Sequence, residues 1–232
     1  MTEQAVGAQR SAKVPFDLVV FDLDGTLADT LPDITAALNA TLAEAGLPSL
    51  PPEVVVQYVG DGSSKLIERA LPPGEPHRDV AAMTAAFVAH YERKPSVHAR
   101  LYPGVPAMLD TLAQAGVATA VLTNKRGTVA RLLLGELLPG NALRDIVGDG
   151  DGFPRKPDPS AVQALMTRAN ATPARTAMVG DGLPDLRMGR AAGVVTVAAA
   201  WGYVPRDQLA AESPTWIADS PEEALRLLMS AR

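Results

Sequence analysis

Short apolar runs rich in β-branched and aromatic residues alternate with stretches of helical spacing along most of this chain. That alternation admits few folds. The first and strongest run is Phe16-Asp-Leu-Val-Val-Phe-Asp22, and a polar loop from Leu23 to Thr26 follows it. Similar runs recur at Val117 to Leu122, Thr176 to Val179 and Val194 to Ala198, with a weaker one at Thr215 to Ala218. Helical patterns lie between them, at Val105 to Ala115, Thr128 to Leu138, Ser160 to Asn170 and Pro184 to Ala192, and a last one runs from Pro221 to Met229. A strand that is apolar at every position has both faces covered. Strands of that kind alternating with amphipathic helices imply a Rossmann-like α/β core with a parallel sheet. Ligands of such sheets bind beyond the carboxyl ends of the strands.

The stretch from about Leu31 to Leu101 breaks the pattern, because it holds no clear buried strand. Leu31 to Ala45 has helical spacing, with Ile34, Leu38 and Leu42 on one face. Ser63 to Leu71 and Val80 to Tyr91 also read as helices, and Pro48, Pro51, Pro52, Pro72, Pro73 and Pro76 punctuate the gaps. The expected organisation is an extension over residues 1–15, an α/β core over 16–30 and 102–232, and an all-helical insertion over 31–101. An insertion directly after the first strand sits over the strand ends, where a lid would be.

Composition bounds the function. The chain has 232 residues, enough for one sizeable core plus a small module, with 47% hydrophobic and 20% charged residues. A net charge of −5 argues against nucleic acid as the main partner. The absence of cysteine removes disulfides, thiolate zinc sites and cysteine nucleophiles together, and a reducing cytoplasm is compatible with it. Met1 to Lys13 lacks the apolar run of a secretory signal, and no apolar stretch reaches the ~18 residues that a membrane span needs.

The chemistry-bearing residues gather at the strand ends. Asp22-Leu-Asp-Gly-Thr26 brings two carboxylates out of a buried strand into a glycine-containing loop. Clustered carboxylates are costly unless a cation is present, and hard oxygen ligands suit Mg²⁺. Thr123-Asn124-Lys125 follows another strand, Lys156 lies in Arg155-Lys-Pro-Asp-Pro159, and Gly180-Asp-Gly-Leu-Pro-Asp185 follows a third. Taken singly, each has an ordinary reading: Asp-x-Asp-Gly as a turn, Thr123 as a helix cap, Lys156 as a solvated loop lysine, Asp181 as a turn residue. Their ordered recurrence at strand ends makes four accidents a poor explanation.

This ordered set resembles the motifs of the haloacid dehalogenase superfamily, over nearly the whole chain from Phe16 onward. Within the superfamily, Phe21 to Leu47, Tyr58-Val-Gly-Asp-Gly62 with Leu66 to Leu71, and Ala200-Trp-Gly-Tyr203 are similar to the phosphoglycolate phosphatase branch. The resemblance implies a Mg²⁺-dependent phosphomonoester hydrolase that carries a phosphoryl group on Asp22. It implies Mg²⁺ held by the Asp22 side chain, the Asp24 backbone carbonyl and Asp181, with Asp185 supporting the metal. Asp22, Asp24 and Asp181 are thereby expected to bring three carboxylates to one place. Asp24 is implied as the acid and base, which halide-displacing members usually lack. Lys156 and the Thr123 hydroxyl are implied as holders of phosphate oxygens, and backbone N–H groups near Leu23 and Asn124 as further donors.

The inserted helices correspond to a cap. Gly60, Asp61, Gly62 and Ser63 are its candidate substrate-touching tip, and Lys65 and Arg69 are candidates for a substrate carboxylate. An inter-helix turn and a solvated helix face are the ordinary alternatives. His77, His90 and His98 have no metal-ligand spacing and read as surface residues. The expected partner is a small phosphorylated metabolite, 2-phosphoglycolate, turned over by a monomer or homodimer. Competing readings are a phosphatase for another small phosphoester, a hexose-phosphate mutase with the same motifs and cap, a non-enzymatic aspartyl-phosphate receiver domain, and a binding protein with a decayed site.

Overall fold

The computed structural model describes residues 15–73, 79–93, 96–140, 143–230. The expected N-terminal extension, apart from its last residue, and His77 lie outside the described residues. The strands are β1 (Leu18–Phe21), β2 (Ala28–Asp29), β3 (Arg100–Leu101), β4 (Ala118–Arg126), β5 (Asp145–Asp149), β6 (Thr176–Gly180), β7 (Val195–Ala199) and β8 (Trp216–Ala218). The helices are α1 (Leu31–Glu44), α2 (Pro52–Val55), α3 (Ser63–Ala70), α4 (Val80–Arg93), α5 (Val105–Gln114), α6 (Gly127–Leu137), α7 (Ser160–Ala169), α8 (Leu183–Ala192), α9 (Arg206–Ala211) and α10 (Pro221–Ser230).

Six strands form one parallel sheet in the order β5-β4-β1-β6-β7-β8. β1 shows why its sequence is apolar at every position. Val19 and Phe21 enter one core cluster with Leu109, Leu112 and Leu133, whereas Leu18 and Val20 enter another with Val162 and Leu165. Helices therefore cover both faces, and side chains alternate between two cores with period two. The fold class is the expected one.

Strand order places the site. β1 is central, with β4 on one side and β6 on the other, so the chain leaves it in opposite directions. Phe21 is level with Val121 on β4 and with Val179 on β6. Asp22, Thr123 and Asp181 lie one or two residues beyond this row, which brings them to one switch point.

Helices α1 to α4 pack around an apolar cluster of their own, with Ile34, Leu38, Leu42, Val55, Leu66, Ile67, Phe87 and Tyr91. Val129 of α6 joins that cluster, so the helical group rests on the sheet unit at α6. The chain passes between the two through β2 and β3, which pair antiparallel as Ala28 with Leu101 and Asp29 with Arg100. Asp33, in the first turn of α1, accepts the N–H groups of His98 at 3.0 Å and Ala99 at 2.8 Å. The outgoing and returning chains are tied there.

Three features of the fold lack a clear sequence signal. β5 is bounded by Asp145 and Asp149, contains Gly148 and lies at the sheet edge, so it never shows a continuous apolar run. α2 and α9 are too short for helical periodicity to show. Among the described residues, no helix is long and apolar enough to cross a membrane.

Candidate active site

Asp22 stands one residue beyond β1 and is buried, 8% exposed. Its backbone N–H bonds the Val179 carbonyl at 2.9 Å, which continues the sheet ladder and fixes where the carboxylate starts. Lys156 Nζ lies 2.7 Å from Asp22 Oδ1 and donates to Asp185 Oδ1 at 2.7 Å. Asp22 Oδ1 is buried, and the Lys156 ammonium is its close polar neighbour.

Asp181 and Asp185 come from the end of β6 and the first turn of α8. Thr26 Oγ1 donates to Asp181 Oδ1 at 2.7 Å and accepts the Asp181 N–H at 3.0 Å. The Tyr203 N–H bonds Asp181 Oδ2 at 2.8 Å, and the Gly182 N–H bonds Asp185 Oδ2 at 3.0 Å. Gly25 and Gly202 clear the space around Asp181. A Cβ at Gly25, where φ is +82°, would lie 2.2 Å from Asp181 Oδ2, and one at Gly202 would lie 2.3 Å from Asp181 Cβ. No side chain larger than hydrogen fits at either position without moving the carboxylate.

Asp22, Asp181 and Asp185 each offer one carboxylate oxygen within 4.8 Å of the others, and all three are buried. Burial, and next the Asp185 charge, push the Asp22 carboxyl up to about 7. Burial, and next the Asp22 charge, push Asp181 up to about 8. Burial alone would lower Lys156, but Asp185 and Asp22 more than offset it and hold the ammonium above its usual range. The cluster thus carries more negative charge than one lysine neutralises. An all-oxygen donor set of three buried carboxylates fits a hard divalent cation.

Asp24 departs from expectation. The carboxylates that meet Asp22 are those of Asp181 and Asp185, and Asp24 is not in that group. Its Oδ1 accepts from Thr30 Oγ1 at 2.5 Å and lies 2.8 Å from Lys125 Nζ. A buried ammonium and a hydroxyl together hold this carboxylate on the wall of the cavity, off the cluster.

The cavity encloses about 610 Å³ including its open mouth. Asp22, Asp24, Thr123 and Asn124 line it from the sheet, and Gly60, Gly62 and Ser63 line it from the helical group. Ile34, Leu66, Phe87 and Val129 give it apolar walls. Asn124 joins its two sides: Nδ2 donates to the Gly60 carbonyl at 2.9 Å, and Oδ1 accepts the Lys156 N–H at 2.9 Å. Lys65 and Arg69, the sequence candidates for a substrate carboxylate, do not line it. Lys65 pairs with Glu68 and Arg69 with Asp61, each at 2.5 Å and exposed. That pairing also takes the Asp61 side chain out of the candidate tip. His98 is exposed, while His90 is half-buried against Glu44 at 2.9 Å.

The haloacid dehalogenase-like hydrolase family model matches residues 19–199, a span that contains Asp22, Thr123, Lys156 and Asp181. The chain belongs to that family. It is 39% identical, over 87% of its length and 76% of the relative, to the phosphoglycolate phosphatase of Pseudomonas putida KT2440. It is 40% identical to that of Rhodospirillum rubrum, over 80% of each chain. The crystal structure of a predicted phosphoglycolate phosphatase from Haemophilus somnus 129pt superposes with a TM-score of 0.82 at 27% identity, covering 92% of this chain and 98% of that one. This haloacid dehalogenase-like hydrolase is an enzyme of the phosphoric monoester hydrolase class.

Several residues of the hydrolase site had no role in the sequence reading. Thr26 and Lys125 stood inside quoted motifs, and Tyr203 inside Ala200 to Tyr203. The Tyr203 hydroxyl accepts the N–H groups of Thr30 at 2.8 Å and Leu31 at 3.0 Å, which fastens the start of α1. Tyr91 had no signal, because a tyrosine within an amphipathic helix looks like core.

Proposed function

We propose that this enzyme hydrolyses 2-phosphoglycolate to glycolate and inorganic phosphate through an aspartyl phosphate on Asp22. The observation that carries the chemistry is the Asp22 carboxylate: buried, lining the cavity and paired with the Lys156 ammonium at 2.7 Å. The names of the P. putida and R. rubrum relatives support the substrate.

Asp22 attacks phosphorus, and the P–O bond to the alcohol breaks. Asp24 gives its proton to the departing glycolate oxygen. In the second half, Asp24 takes a proton from water as the water attacks the aspartyl phosphate, which releases inorganic phosphate and restores Asp22. Lys156 and the Thr123 hydroxyl hold the phosphoryl oxygens, with N–H groups near Leu23 and Asn124 as further donors. Asp22 and Asp181, with the Asp24 backbone carbonyl, are the groups that would hold Mg²⁺, and Asp185 stands beside them. Bound there, Mg²⁺ supplies positive charge that lets an anionic nucleophile and an anionic phosphoryl group meet.

The helices within residues 31–101 act as a cap over a core formed by 16–30 and 102–232. The Asn124 bond to Gly60 supports that role, because it joins a sheet residue next to Thr123 to the helical group. Closing the cap excludes bulk water from the phosphoenzyme. The test is a phosphate-release screen over 2-phosphoglycolate, glucose 1-phosphate, glycerol 3-phosphate and p-nitrophenyl phosphate with Mg²⁺. The reading expects the highest kcat/KM for 2-phosphoglycolate. Equal rates on all four remove the named substrate and keep the phosphatase. Turnover that needs a sugar bisphosphate activator favours a mutase, and a single long-lived phosphorylation favours a receiver.

A further inference from the structure

If the substrate of this phosphatase is a phosphorylated hydroxy acid, something must recognise its carboxylate, and the surface pairs of Lys65 and Arg69 leave that task open. We infer that Lys125, with the Tyr91 hydroxyl, forms the carboxylate subsite, and that it selects phosphoesters of small hydroxy acids. The inference rests on the phosphatase reading and adds to it the group that sets specificity.

Lys125 lines the cavity although its side chain is only 6% exposed. A buried ammonium is rare unless paired, and here the pairing is incomplete for a group with three donors. Asp24 Oδ1 takes one side at 2.8 Å, and the Tyr91 ring lies beneath it, 4.4 Å from Nζ to the centroid. Tyr91 also lines the cavity and is 3% exposed; its hydroxyl oxygen faces the Lys125 ammonium, and its O–H has no acceptor among the described residues. A buried O–H without an acceptor is uncommon and costly, and an incoming carboxylate oxygen satisfies this one. An ammonium and an unused O–H donor in one apolar-walled cavity make a built anion site.

The spacing suits a short acid. Thr123 and Lys125 are two residues apart on β4, at most about 7 Å of extended chain. A phosphoryl group held at Thr123 therefore leaves Lys125 within reach of a carboxylate one or two carbons away. Of the residues lining the cavity, Lys125 and Arg126 carry positive charge, and Arg126 is exposed. An exposed guanidinium is a weaker selector, because water already solvates both it and its anion.

The experiment measures kcat/KM on acids and on a neutral analogue in the same assay. The acids are 2-phosphoglycolate, 2-phospholactate and 3-phosphoglycerate, and the analogue is 2-hydroxyethyl phosphate. The readout is the acid-to-neutral ratio. Any effect of Lys125 on Asp24 slows both substrates and cancels from it. Lys125→Met is expected to lower the ratio by roughly 10- to 100-fold. Tyr91→Phe, which keeps the ring and removes one hydroxyl, is expected to lower it by about 3- to 10-fold. Arg126→Met should leave it within about 3-fold. An unchanged ratio in Lys125→Met overturns the inference, and so does a ratio that collapses in Arg126→Met instead. Where Lys125→Met does not accumulate as folded protein, Tyr91→Phe decides on the same criterion. Wild-type preference for an acid other than 2-phosphoglycolate overturns the named substrate, and the ratio on that acid then tests Lys125. Wild-type preference for the neutral ester overturns the subsite while the phosphatase stands.

Discussion

At the residue scale, the two aspartates of Asp22-Leu-Asp24 sit in different surroundings and should fail differently. Asp22 is pushed up to about 7 by burial and by Asp185, so its charge at pH 8 is held in place against the fold. Asp22→Asn removes that charge with little change of shape. Turnover should vanish, because an amide is a poor nucleophile. In EDTA at pH 8 the variant should melt no lower than the wild type, and circular dichroism with a phosphate-release assay checks both. Retained turnover would mean that no covalent step runs through Asp22. Asp24→Asn should lose about 10²-fold or more in kcat on 2-phosphoglycolate. It should lose less on p-nitrophenyl phosphate, whose leaving group needs no proton, and an equal loss on both would count against the acid role. Asp22 and Asp181 were legible in the sequence because each follows a short apolar strand. The partners of Asp24 were not. Lys125 looked like the tail of a strand motif, and Thr30 like the residue before a helix.

At the element scale, the alternation of apolar runs with helical patterns was enough for the parallel sheet, since β1 is buried on both faces. It failed at β5, where Asp145, Gly148 and Asp149 suit an exposed edge rather than a core strand. It also could not show that α1 is fastened by a residue of the loop after β7. Tyr203 reaches the start of α1, where N–H groups have no helical partner, and accepts that of the capping residue Thr30 and that of Leu31. Tyr203→Phe leaves the Thr30 N–H without its acceptor, while the Leu31 N–H keeps Asp29 Oδ1 at 3.2 Å. The cost should be about 1–3 kcal/mol, or about 2–4 °C in Tm per kcal/mol for a chain of this size. KM should rise if α1 then sits less firmly over the cavity. Unchanged Tm and KM would show that solvent replaces the hydroxyl and that the tie carries nothing.

At the scale of the whole molecule, stability should be linked to pH and metal through one cluster. Asp22 and Asp181 titrate near 7 and near 8 in the folded protein, against an ordinary value of 3.8. Between those limits the folded state binds more protons than the unfolded state, so unfolding free energy falls as pH rises. In EDTA the protein should therefore melt at a lower temperature at pH 8.5 than at pH 6. Metal held there should reverse the sign of the cluster's contribution, because Mg²⁺ would bind the ionised carboxylates and stabilise only the folded state. Added Mg²⁺ should raise Tm more at pH 8.5 than at pH 6 and should release protons into a weak buffer. Asp181→Asn removes one titrating ligand, so it should both flatten the pH slope in EDTA and shrink the Mg²⁺ shift. A Mg²⁺ shift of equal size at both pH values, or one that survives Asp181→Asn unchanged, would place the metal somewhere other than this cluster.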